Sequence, residues 1–221
     1  ASPRSNIFAF NGIQLNSKLT DNYNPNFFPV EFFEEAEILK GTDAAVEAGN
    51  PSVYINFREI IYNTDKPYTK FWYSQEAYNF IGVDGIFSQN FMKNLNLNFG
   101  FRTISNEGRF DNSDFNSWNV RTNLRWNPSD LSSISLLYNF LNFGNSHNGG
   151  IDVEASEDPF DPINSFVRFQ DFRSRKFINN IQLSYSLLPD EDSTTSIYAS
   201  LKYRNTENNF KSGNDFYFNK E

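Results

Sequence analysis

Between Leu95 and Arg204 the chain repeats segments in which apolar and polar residues alternate one for one. The clearest run sets Leu95, Leu97, Phe99 and Phe101 against Asn96, Asn98 and Arg102; the next sets Trp118, Val120, Leu124 and Trp126 against Asn119, Arg121, Asn123 and Arg125. A β-strand sends successive side chains to opposite faces, so one face is apolar and aromatic while the other carries Arg and Asn. A wall of this kind suits lipid on one side and water on the other; it suits a soluble β-sandwich as well. The pattern predicts seven strands, at residues 67–75, 80–89, 95–103, 118–127, 133–143, 177–188 and 195–204.

The connections separate the two architectures. Links at 91–94, 127–130 and 189–192 are compact and built from turn-forming residues such as Asn127-Pro128-Ser129-Asp130. Links at 104–117 and 144–176 are long and polar, and the stretch after Asn205 reads as the start of another. Short turns on one side and long loops on the other are the mark of an outer-membrane barrel, whereas loops beyond about 15 residues are uncommon in compact soluble domains. The fold class is therefore mainly β: an antiparallel transmembrane β-barrel segment of about seven strands. An open sheet would leave backbone groups unsatisfied in lipid, and single-chain bacterial barrels have even strand numbers, so further strands are expected beyond Glu221. The opening Ala1-Ser2-Pro3 reads as a cut in a longer product.

Residues 1–62 differ in kind and read as part of a small α/β unit, with 63–221 as the first part of the barrel. Ile7-Phe8-Ala9-Phe10 followed by Asn11-Gly12 predicts a short strand into a turn, Pro29 to Ala36 a short helix, and Ala36 to Lys40 a strand ending at Gly41. The unit has too little apolar material to fold alone.

Composition sharpens the picture. Only 38% of the 221 residues are hydrophobic, and no apolar run approaches the 18 or more residues of a membrane helix; alternation lets a barrel strand cross at low mean hydropathy. Phe occurs 25 times and Tyr 11 times, which favours strands. A net charge of -8 argues against nucleic acid as a partner. With no Cys and one histidine, His147, thiolate chemistry and histidine-based metal or nucleophile sites are excluded, and no catalytic carboxylate pair or phosphate loop is apparent. His147 reads as a loop residue without a special role. The chain is not expected to be an enzyme or to carry a cofactor.

Several stretches carry a resemblance. Phe10-Asn11-Gly12-Ile13-Gln14-Leu15, Phe28-Pro29-Val30-Glu31, Ala36-Glu37-Ile38-Leu39-Lys40-Gly41-Thr42-Asp43-Ala44-Ala45 and Tyr54-Ile55-Asn56-Phe57 resemble, in order and spacing, the C-terminal half of the plug of TonB-dependent outer-membrane receptors. The segment Glu37-Ile38-Leu39-Lys40-Gly41 is the most specific part. Asn50-Pro51-Ser52 departs from the glycine that the family places before the Ile-Asn segment. The stretches from Lys66-Pro67-Tyr68-Thr69 to Asn148-Gly149-Gly150-Ile151 are similar to barrel segments of Bacteroidota-type receptors and porin-like proteins. The resemblance implies residence in the outer membrane, contact with its lipid, import of a scarce small-molecule or glycan ligand, and a TonB-type energy-coupling partner. A passive porin-like barrel and a soluble adhesin or carbohydrate-binding sandwich are the alternatives.

Candidate site residues follow. Loop aromatics Phe110, Phe115, Phe160 and Phe166 are candidates for ligand contact. Arg102, Arg121 and Arg125 on the polar face are expected to line the lumen and to pair with plug carboxylates such as Glu31, Glu34, Glu35 and Glu37. Asp152, Glu154, Glu157, Asp158 and Asp161 offer oxygen ligands for a hard cation, but lack EF-hand spacing and read as a solvated acidic loop. Trp72, Tyr73, Trp118 and Trp126 are placed in an interfacial aromatic girdle.

Overall fold

The computed structural model describes residues 6–16, 32–48, 52–190, 195–213 and 215–220. The chain divides into two compact units, residues 1–62 and 63–221.

In the first unit β1 (Ile7–Phe10) turns through Asn11 and Gly12 into β2 (Ile13–Gln14), and β3 (Phe33–Lys40) leads through Gly41 into α1 (Thr42–Ala48) and then β4 (Val53–Glu59). The sheet order is β2-β1-β4-β3, with β1 parallel to β4 and β3 antiparallel to it. Asn11 and Gly12 both take positive φ (45° and 74°), the conformation that an Asn-Gly hairpin turn requires. The turn is tied to the far end of β4: Asn11 Nδ2 donates to Glu59 Oε2 at 3.3 Å, the Glu59 amide donates to Asn11 Oδ1 at 3.1 Å, and the Gly12 amide donates to Asn56 Oδ1 at 2.9 Å. Ile7, Ala9, Ala44 and Tyr54 form the buried core, with Leu39 packed against it. Phe33 stacks on Phe57 with ring centroids 4.4 Å apart. The expected helix at Pro29 to Ala36 is corrected over its described part: Phe33 to Ala36 belong to β3, where the cross-strand ring contact supplies what helical spacing would not. Residues 29–31 lie outside the described residues.

The second unit is one antiparallel sheet of eight strands. In chain order these are β5 (Tyr68–Glu76), β6 (Phe80–Met92), β7 (Leu95–Asn106), β8 (Phe115–Ser129) and β9 (Ser132–Ser146), then β12 (Arg173–Leu187), β13 (Ile197–Ser212) and β14 (Asp215–Lys220). Between β9 and β12 the long loop carries a two-residue hairpin, β10 (Ile151–Asp152) with β11 (Phe166–Val167). Each strand in the large sheet pairs with its chain neighbour, the long loop being skipped, and among the described residues the outermost strands β5 and β14 are not paired with each other.

The sequence-predicted strands are all present, and an eighth is added. β13 runs on past Asn205 to Ser212 and turns directly into β14, so the expected long loop after Asn205 is instead a tight turn at Gly213, where φ is +57°. The loop side of the sheet is therefore uneven: residues 77–79 and Gly213 turn sharply there, while 107–114 and 147–172 are long. Part of the link at 189–192 lies outside the described residues.

Register fixes the faces. One row across β6, β7, β8, β9, β12 and β13 reads Asp84, Arg102, Asn119, Leu141, Ile178, Thr206; the next reads Ile86, Gly100, Arg121, Asn139, Asn180, Arg204. This is the buried, mainly polar face. The opposite face carries Phe101, Trp118, Leu124, Trp126, Leu136, Tyr138, Ile181, Leu183, Leu201 and Tyr203, nearly all of them exposed. A sandwich would cover such a face with a second sheet, whereas a membrane wall turns it to lipid. Trp72 departs from the expected girdle: it pairs with Asp84 and shares the polar face, while its neighbour Tyr73 points the other way. Gly85 on the apolar face makes room for a partner, since a Cβ there would come within 2.2 Å of the Phe101 ring.

Candidate functional site

Side chains of the polar face hydrogen-bond to one another. Asn119 Nδ2 donates to Asn139 Oδ1 at 3.2 Å, Ser135 Oγ to Asn123 Oδ1 at 2.8 Å, and Asn96 Nδ2 to Asn90 Oδ1 at 2.6 Å. Arg102 Nε stands 3.6 Å from Asp84 Oδ1. Arg121 is 1% exposed and shares its row with Asn139 and Asn180. Alternation put these residues on one face, and the ladder brings Arg102, Arg121 and Arg125 together on it. Of their expected partners, Glu35 and Glu37 both bind Arg58 inside the first unit, at 3.3 and 3.2 Å. Glu34 is exposed on β3, and Glu31 lies outside the described residues.

At the loop end the two long connections are laced together. Asn112 sits at positive φ (51°), and its Nδ2 lies 2.9, 3.0 and 3.3 Å from the carbonyls of His147, Phe169 and Phe172. Arg109 Nη2 donates to the Phe160 carbonyl at 2.9 Å. His147 anchors the base of the loop: Nε2 lies 2.7 Å from Ser174 Oγ, Nδ1 lies 3.4 Å from Asn145 Nδ2, and the ring packs on Phe172. Asn145 Nδ2 can only donate, so Nδ1 accepts and the proton of the neutral ring sits on Nε2. Burial lowers the His147 pKa below the ordinary histidine value. Sequence reasoning assigned His147 no role and did not single out Asn112. Its only local signal is the tolerance of Asn for left-handed backbone.

The loop aromatics separate into two kinds. Phe115 lies on the polar face at the top of β8 and stacks with Phe143, ring centroids 6.5 Å apart. Phe110 is half-buried beneath the Arg109 guanidinium, 5.2 Å from its centroid. Phe160 and Phe166 are exposed, the former at 81%. Ile163, at 89%, stands with them on the same loop, and its sequence context offered no hint of that exposure. The acidic residues of this loop serve its backbone. Asp152 Oδ1 accepts from the Glu154 and Ala155 amides, Asp158 Oδ1 from Phe160, and Asp161 Oδ1 from Ile163. Among the described residues no three carboxylates or imidazoles converge as a metal site would require.

No protein-family model matches the chain, and no curated protein matches it in sequence. Solved structures do. The ferric-catecholate import receptor Fiu from E. coli K12 superposes with a TM-score of 0.70 at 12% identity, covering 92% of this chain and 32% of the receptor. The ferric enterobactin receptor PfeA gives 0.70 at 14%, covering 99% and 37%. The copper transporter OprC gives 0.70 at 12%, covering 97% and 31%. The chain has the fold of an outer-membrane receptor. It spans about a third of the length of these proteins, and the aligned part takes in the small α/β unit as well as the wall. Outer-membrane barrels in general turn an apolar face to lipid and a polar face inward, with their longer loops on the extracellular side.

Proposed function

We propose that this chain is part of a TonB-dependent outer-membrane receptor that imports a scarce ligand across the outer membrane. The observation that carries the reading is the order of the two units: a four-stranded unit with parallel β1 and β4 precedes an amphipathic antiparallel wall, and receptors with that arrangement superpose over nearly the whole chain. The first unit then acts as the C-terminal half of a plug, and Arg102, Arg121 and Arg125 form the polar lining along which plug carboxylates are held without an apolar core. The loops at 107–114 and 147–172 present Phe110, Phe160 and Phe166 to the ligand, with Phe115 at the top of β8 beneath them; the ligand belongs to the siderophore, glycan or similar small-molecule class. The energy-coupling partner is of the TonB type.

The test uses the full-length protein in a Gram-negative host. Recovery in the outer-membrane fraction, extraction only with detergent, and ligand-dependent growth that disappears when the coupling protein is deleted support the proposal. Growth that persists without the coupling protein would identify a passive barrel, and release without detergent would identify a soluble β-protein. Reversing the charge at Arg121 is expected to impair plug retention and import; unchanged import would sink the assigned role of that lining.

A further inference from the structure

A recess of about 400 Å³ opens where β8, β9, β12 and β13 reach the loop side, and its charged residues face outward. Register places them: Asn116, Gly144, Arg175 and Asn209 form one cross-strand row, and Ser146, Arg173 and Lys211 form the next. Both rows continue the face that carries Trp118, Tyr138, Ile181 and Tyr203, not the face of Arg121. Resting on the reading of this wall as outer membrane, we infer that this recess holds a phosphate-bearing headgroup of an outer-leaflet lipid.

Three features support the assignment. Arg173 stands directly opposite Lys211 across the β12–β13 ladder. Like charges so placed repel, and an anion seated between them converts that cost into attraction. Arg175 is held in place from beside and below: Nε donates to Asn142 Oδ1 at 3.0 Å, and the guanidinium lies 5.3 Å from the Phe177 ring centroid. Neither contact uses its two Nη groups, the pair that binds phosphate in fork geometry. Gly144 leaves the floor of the recess open, because a Cβ there would come 3.0 Å from Asn116 Oδ1.

The acidic neighbours do not neutralise the site. Asp114 lines the recess and Asp171 an adjoining one, both just beyond the strand ends, and Glu207 lies one row further from the loops beside Phe177. Among the described residues, none of Arg173, Arg175 and Lys211 forms an ion pair. A soluble anion bound for the lumen would meet the other face. A lipid headgroup meets this one, with its acyl chains running down past Phe177 and the Asn179–Asn205 pair to the exposed Ile181 and Tyr203. Basic residues at the margin of an apolar surface recognise anionic headgroups in this way.

The experiment takes full-length protein recovered from the outer-membrane fraction and measures bound lipid by native mass spectrometry, with bisphosphorylated lipid A, dephosphorylated lipid A and inorganic phosphate as probes. The wild type is expected to retain the bisphosphorylated lipid. Arg173→Gln, Arg175→Gln and Lys211→Gln should each weaken retention about fivefold, and the dephosphorylated lipid should bind weakly to all. Gly144→Leu fills the recess without touching charge and should lose binding too, while Arg175→Lys should retain part of it. Equal retention by the wild type and by a variant combining Arg173→Gln, Arg175→Gln and Lys211→Gln overturns the inference, as does saturation by inorganic phosphate that displaces the lipid, which would mark a soluble-anion site. Protein that never reaches the outer membrane defeats the underlying functional reading instead. Folding of each variant is read from the heat-dependent gel shift of an intact barrel.

Discussion

Asp84 and Arg102 face one another across the β6–β7 ladder on the buried polar side of the wall, Oδ1 to Nε 3.6 Å apart. Asp84 is 4% exposed, so its charge is held where solvent compensates little. Removing the Asp84 carboxylate takes this partner from the Arg102 guanidinium, which is 21% exposed, at a cost of about 1–3 kcal/mol. Asp84→Asn is expected to lower the denaturant midpoint of the purified protein, and Asp84→Asn with Arg102→Gln to recover part of the loss. If Asp84→Asn and the double variant both unfold at the wild-type midpoint, the pair contributes nothing to the wall.

Asn112 acts as a staple between loops that are far apart in sequence. Glycine shares its tolerance of positive φ but lacks the amide that reaches the carbonyls of His147, Phe169 and Phe172. Asn112→Gly should leave the backbone path of 107–114 intact and raise amide exchange across 147–172. Asn112→Ala should add a strain of about 1 kcal/mol from the left-handed conformation. Wild-type exchange in Asn112→Gly would show that the loop is held by other contacts.

Acid should loosen the same loop. The His147 pKa is lowered by burial, so the folded loop holds a neutral ring while the opened loop takes up a proton at the ordinary value near 6.5. Below that pH the open form binds more protons, and the stability present at neutral pH drains away as pH falls through the folded value. The added proton also places an N–H against Asn145 Nδ2. Amide exchange at 147–172, corrected for its intrinsic pH dependence, should rise between pH 7 and pH 5 in the wild type and stay flat in His147→Gln. A flat wild-type profile removes the histidine from this role.

How much of this was legible in the sequence follows the period of the signal. Strands 95–106 and 115–129 announce themselves because Leu, Phe and Trp alternate with Asn and Arg, and that alternation also assigned Arg102, Arg121 and Arg125 to one face. β14 was hidden because the residues before it, from Asn205 on, are largely polar and read as a loop, whereas pairing with β12 carries β13 as far as Lys211 and pairing with β14 carries it to Ser212. Phe33-Glu34-Glu35 has no strand alternation, and its placement in β3 goes with the Phe33–Phe57 ring contact across the sheet. The loop-end site was legible in its aromatic content only. Its staple and anchor, Asn112 and His147, act on carbonyls and hydroxyls up to 60 residues away, and no local pattern encodes such a contact.

The parallel pairing of β1 with β4 sets how the small unit bears a load. Ile7 lies beside Tyr54 and Phe10 beside Phe57, so the upstream chain enters at one end of the pair and the chain toward the wall leaves at the other. Tension between those two exits runs along the strands, and the hydrogen bonds of the pair share it together in shear. A hairpin gripped at its open end would unzip one bond at a time. The Asn11–Glu59 link closes the far end of the pair, and it would be strained only after the ladder itself begins to slide.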